Sequence, residues 1–266
     1  MEIIEHFSKG KRPDRPCEDG WVATDDFAAV VDGSTAKIKI DPAQESPGHL
    51  AMRLVCSAIR QFPADLCKEE ALTVLTQVIA EDKTYASKHY RPTCSAVVYS
   101  RHRREVWFIG DCQCRCGGKT HKHDKVVDKI LTDIRCDVIR YYLAHGYTEE
   151  ELLQDDKGRA FIYDALCDQL YFQNDSDSYN PYRYPVIDGQ TIDASLVPSM
   201  SVGNSREIIL ASDGYPILLD TLDETERKLQ EVLEKDPLCI QENPSTKCLV
   251  EGNDSFDDRT FLRLRL

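Results

Sequence analysis

No stretch of this sequence reaches the roughly 18 consecutive apolar residues that a membrane-spanning helix needs. The first residues, Met1-Glu2-Ile3-Ile4-Glu5-His6, lack the basic and apolar regions of a secretory signal, so no signal peptide is expected. Positive charge is scarce: 33 Lys and Arg stand against 46 Asp and Glu, a formal net charge of −13. That deficit argues against a nucleic-acid binder resting on a basic surface and against a protein held to anionic membranes. No internal repeat, low-complexity run or long Pro/Gly/Ser linker divides the chain, so residues 1–266 read as one domain. Cysteine, in contrast, is plentiful. Eleven residues, an odd number with no secretory signal, read as reduced thiols in a cytoplasmic protein rather than a disulfide framework. The rest is an ordinary globular mixture, 41% hydrophobic and 30% charged, long enough to bury a real core. The acid excess is either a solvated surface or, in part, a carboxylate site for cations.

Periodicity predicts strands at residues 2–8, 21–24, 27–31, 94–100, 105–109, 112–116, 207–211 and 259–266. It predicts helices at 47–61, 69–88, 125–144, 149–153, 160–171 and 223–235. Residues 174–185 read as an exposed, tyrosine-rich loop, and Arg101 to Arg104 as a solvated hairpin tip. Strands neighbour strands in sequence, which favours antiparallel sheets with covering helices over a βαβ parallel sheet.

Three carboxylates recur at strand ends. Val30-Val31-Asp32-Gly33 and Leu210-Ala211-Ser212-Asp213-Gly214 are apolar strands ending in Asp-Gly, and Asp257 opens the last strand. Glu18-Asp19 lies just before the Trp21 strand. A strand end holds a carboxylate rigidly, and the glycine allows a turn and close backbone approach. Hard divalent cations take such oxygen ligands, and clustered ionised carboxylates need a cation between them. Taken singly, an Asp-Gly after a strand is first of all a turn. Cys112, Cys114 and Cys116 alternate as in a strand with one buried face; their spacing is a poor match to structural zinc.

The order of these strings resembles the PP2C-type (PPM) metal-dependent protein phosphatases. The resemblance rests on Arg15-Pro16-Cys17-Glu18-Asp19-Gly20, Val30 to Thr35, Pro92 to Ala96 with Trp107 to Asp111, Leu210 to Gly214, and Asp257-Asp258-Arg259-Thr260. It implies an α+β fold, a four-layer αββα sandwich of two antiparallel sheets with helices on both outer faces. It implies two Mg²⁺ or Mn²⁺ ions and a weaker third. Asp32 would bridge the two, with the Gly33 carbonyl on one. Asp213 and Asp257 would complete the first, and Glu18 or Asp19 would support the second through water. Asp111 with Asp213 would hold the third. Arg15 is the candidate to grip phosphate, and His49 the candidate to protonate the leaving group. The implied substrate is a phosphorylated protein.

The chain departs from the family pattern at Ser34-Thr35, at Cys112-Gln113 and across residues 119–205, where no family motif is matched. Those departures keep two other readings open: an inactive PP2C-like binding module, and a phosphatase of a small phosphorylated metabolite.

Overall fold

The structure is a computed structural model that describes residues 1–37, 41, 44–84 and 91–266. Its strands are β1 (Glu2–Lys9), β2 (Asp19–Ala23), β3 (Phe27–Gly33), β4 (Cys94–Ser100), β5 (Glu105–Ile109), β6 (Gln113–Cys116), β7 (Lys119–His121), β8 (Ser199–Ser201), β9 (Glu207–Ala211) and β10 (Arg259–Arg265). Its helices are α1 (Pro47–Ile59), α2 (Lys68–Glu81), α3 (Val126–Ala144), α4 (Glu149–Gln154), α5 (Lys157–Asp168) and α6 (Leu222–Lys235). Two five-stranded sheets form, in the orders β1-β10-β9-β6-β7 and β2-β3-β4-β5-β8. Every pairing between the named strands is antiparallel.

Side-chain alternation builds the layers. On β3, Ala28 and Val30 point inward to meet Cys114, Leu210, Leu262 and Leu264 of the other sheet. Phe27, Ala29 and Val31 point outward and pack under α1 and α2. On the other sheet, β1-β10-β9-β6-β7, Ile209, Ala211 and Phe261 point outward under Leu229 and Leu233 of α6. Strand period 2 therefore serves two cores with one strand. The result is the expected αββα sandwich. Cys112 and Cys114 lie in the inter-sheet core with Cys116 packed against it, and all eleven cysteines are unpaired.

The structure alters several expectations. The second helix ends at Glu81 and Asp82–Thr84 are not helical; residues 85–88 of the expected helix lie outside the described residues. Strands β7 and β8 are three residues each, too short to show a period. The 174–185 loop is not uniformly exposed: Tyr179 is 93% exposed, but Tyr184 is buried beside Val127 and Leu166. The basic hairpin tip is exposed as expected, and there Arg103 and Arg104 also donate to carbonyls of Asp65, Leu66, Gly203 and Ser205. Residues 119–205 contribute α3 and α5, which pack against each other and wall one side of the site. Among the described residues no helix is long and apolar enough to cross a membrane.

Candidate active site

The strand-end acids converge at one end of the sandwich. Asp19 and Asp32 stand opposite each other on β2 and β3. Asp111 follows β5, Asp213 follows β9, and Asp257 and Asp258 precede β10. Asp32, Asp111, Asp213, Asp257 and Asp258 all line a cleft of about 1270 Å³. The glycines beside them are tightly enclosed. A Cβ on Gly33 would lie 2.3 Å from the Gly48 carbonyl oxygen, and one on Gly214 would lie 2.0 Å from that of Asp258. Only glycine lets those backbones approach so closely.

Among the described residues no cation forms an ion pair with Asp19 or Asp32. Both carboxylate oxygens of Asp19 are buried with no hydrogen-bond partner. Burial raises its pKa well above the usual range; Asp258, Asp257 and Asp213 push the same way, and nearby Ser212 opposes without completing a bond. Burial likewise raises Asp32, with Asp19, Asp213, Asp257 and Asp111 adding to it. Asp213 projects into the open cleft, yet its walls surround the carboxylate and push it up to about 7, with Asp111 and Asp257 contributing. Glu18 is also raised by burial, although its Oε1 accepts a 2.5 Å bond from the Ser46 hydroxyl. Ser46 caps α1, with Pro47 as its first residue, so one hydroxyl orders both helix and acid.

The remaining acids are already paired. Asp257 does not stand as a bare ligand: Lys11 reaches its Oδ1 at 2.7 Å, and Lys247 reaches its Oδ2. Burial opposes its ionisation, but the two ammonium groups win and hold it well below the usual carboxylate range. Asp111 meets the Lys125 ammonium at 2.8 Å and accepts from the Ser95 hydroxyl at 2.6 Å. Lys125 outweighs burial there, so Asp111 is lowered. Asp258 accepts from the backbone N–H of Glu18 (2.6 Å) and of Lys11 (2.9 Å), tying the loop before β2 to the start of β10. None of these lysines, nor Asp258, was singled out from sequence. Only the repeated acid beside Asp257 hinted at Asp258.

Arg15 and His49 both reach the cleft. Arg15 is exposed and makes no hydrogen bond or ion pair among the described residues. His49, in the first turn of α1, directs Nδ1 to Oε1 of Glu45 at 2.6 Å.

A divalent cation fits part of this set. The donors are hard carboxylate oxygens, and the orphaned Asp19 beside Asp32 and Asp213 is the charge arrangement such an ion relieves. As they stand, no three acid, thiol or imidazole groups among the described residues converge on one ion position. Asp257 and Asp111 would have to exchange lysine for metal.

This charge balance sets a pH dependence. Asp213 is raised from 3.8 to about 7, so between those values the folded chain holds a proton the unfolded chain has lost. Stability in EDTA should therefore fall as pH rises from about 4 to about 7. Mn²⁺ should raise the melting temperature more at pH about 8 than at about 5, because protons compete for the same oxygens. Thermal melts with and without Mn²⁺ check this; a larger Mn²⁺ effect at the acid end would contradict it.

No family model matches the chain, and no curated protein matches it in sequence. Solved structures do match it. A serine/threonine phosphatase of Staphylococcus aureus is 11% identical, with a TM-score of 0.50 over 100% of this chain and 96% of that one. A serine/threonine phosphatase of Mycobacterium tuberculosis is 14% identical, with a TM-score of 0.45 over 100% and 99%. The two-sheet sandwich is therefore the fold seen in that staphylococcal serine/threonine phosphatase.

Proposed function

We propose that the chain is a metal-dependent phosphatase that hydrolyses phosphoserine or phosphothreonine in proteins, with water attacking phosphorus directly. The observation that carries this reading is the orphaned, buried Asp19 opposite Asp32, which lines a large cleft. Asp32, Asp213 and Asp19 would hold Mg²⁺ or Mn²⁺, with Glu18 and the Gly33 carbonyl beside them. Asp257 and Asp111 would join once their lysines are displaced, Asp111 with Asp213 for a weaker third ion. When bound, two such ions supply an activated water and positive charge at the phosphoryl oxygens.

The chain's own groups complete the chemistry. Arg15 is free to fork onto two phosphoryl oxygens. The Glu45 carboxylate accepts from Nδ1–H and fixes the His49 ring, and in the imidazolium form Nε2–H would give its proton to the departing alkoxide, leaving the neutral ring. Asp258 holds Glu18 in place through its backbone N–H.

The inactive-module reading has one observation in its favour: Asp257 and Asp111 already have lysine partners. Assays of p-nitrophenyl phosphate and phosphoserine peptides separate the two. Turnover in Mn²⁺ that disappears in EDTA is expected. Equal turnover in EDTA, or none with any divalent metal, would falsify the proposal. Preference for phosphorylated metabolites over phosphopeptides would move the substrate class.

A further inference from the structure

A second group of charges lies in the same cleft: Lys37 and Arg159, which the reaction outlined above does not use, and Lys247, which also pairs with Asp257. Lys37 follows β3, Arg159 sits in the first turn of α5, and Lys247 lies in the loop before β10. All three line the cleft. Hydrogen bonds tie their segments together. The Tyr163 hydroxyl of α5 donates to the Lys37 carbonyl at 2.5 Å, and Arg159 Nη1 donates to the Thr246 carbonyl at 2.9 Å. Side-chain-to-backbone hydrogen bonds thus join α5 both to the segment of Lys37 and to the segment of Lys247.

The nearby carboxylates are engaged elsewhere. Asp156 receives Arg135 at 2.8 Å and the backbone N–H groups of Arg159 and Cys248. Asp257 receives Lys11 and Lys247. Among the described residues, Lys37 has only the Thr35 carbonyl as a side-chain partner, at 3.1 Å, and Arg159 only the Thr246 carbonyl. Neither forms an ion pair there. Burial first, then the nearby cations Arg159 and Lys247, lower Lys37 to about 8, although Asp257 opposes them. Burial lowers Arg159 as well, against the attraction of Asp156 and Asp257. An anion between them would relieve this repulsion. A guanidinium fork with flanking ammonium groups suits a phosphoryl or carboxylate oxyanion.

We propose that Lys37, Arg159 and Lys247 form an oxyanion subsite that takes a second acidic group of the substrate, beside the group held at the carboxylate cluster. The proposal rests on the phosphatase reading for its substrate but not for its binding. Arg159 comes from residues 119–205, where no family motif was matched, so the subsite is a feature of this chain's own helical segment.

Calorimetry on the full chain in EDTA tests binding apart from turnover. Inorganic phosphate should bind the native protein, and Lys37→Gln/Arg159→Gln should weaken it about tenfold or more, since each charged hydrogen bond contributes about 1.5–3 kcal/mol. Lys129→Gln, which removes an exposed lysine paired with Asp133, should leave it unchanged. A phosphoserine peptide with a neighbouring glutamate or second phosphoserine should outbind its alanine counterpart, and lose that advantage in the double variant. If that pair of substitutions impairs folding, each single variant is measured instead. Native protein that fails to bind phosphate at millimolar concentration overturns the subsite. So does a folded double variant that binds normally. Phosphate binding with no advantage for the acidic peptide overturns its role in substrate recognition. Absent turnover in the metal assay would sink the enzymatic reading and leave phosphate binding intact.

Discussion

Asp32→Asn is expected to reduce turnover of p-nitrophenyl phosphate by about 10³-fold or more, while raising the melting temperature of the metal-free protein. The two effects have one cause. Asp32 is a carboxylate crowded by Asp19, Asp213, Asp257 and Asp111, and burial already disfavours its charge. Near neutral pH its ionised form costs stability, because its folded pKa is raised. An amide of the same shape removes that charge and the repulsion with it. It also removes the ligand that would gather the metal, so the Mn²⁺-induced rise in melting temperature should shrink in the same variant. Turnover near the native level, or an undiminished Mn²⁺ shift, would show that Asp32 is not the centre of the site.

Arg135→Met should be the most damaging change away from the acids. Arg135 lies in the middle of α3 with no exposed side-chain surface. Its guanidinium donates to Asp156 (2.9 Å), to the carbonyls of Leu238 (3.0 Å) and Ser245 (2.9 Å), and more weakly to Cys239 (3.3 Å). Methionine fills much of the volume but leaves a carboxylate and several carbonyls without their donor. Breaking a buried ion pair from one side costs about 3–5 kcal/mol. For a chain of this size that is a fall of about 6–20 °C in melting temperature. Arg135 also pins the segment that carries Lys247, so hydrogen exchange should quicken across residues 238–248. A melting temperature within a few degrees of native would mean that water replaces the lost donors.

The acids were legible in the sequence because each sits at the end of an apolar strand, and a strand pattern announces its own end. The sandwich was less so. Periodicity located strands and favoured antiparallel pairing, but the two-sheet arrangement came from the resemblance carried by short strings from Arg15 to Thr260. The lysines on Asp257 and Asp111 were not legible at all. Lys11 is 246 positions from Asp257, and its ammonium arrives through the loop between β1 and β2. No local pattern encodes such a pairing, because it depends on where two loops land.

The same division holds for the molecule as a whole. The sequence by itself determined which residues face a core, which carboxylates end strands, and that acidic charge exceeds basic charge. These are properties of single segments, set by side-chain period and turn chemistry. Only the tertiary structure decided which acids stay unanswered and which take lysine, and that Lys37 and Arg159 line one cleft without forming an ion pair among the described residues. Charge pairing acts through space over a few ångströms, so it is settled by loop and helix packing, not by neighbours along the chain.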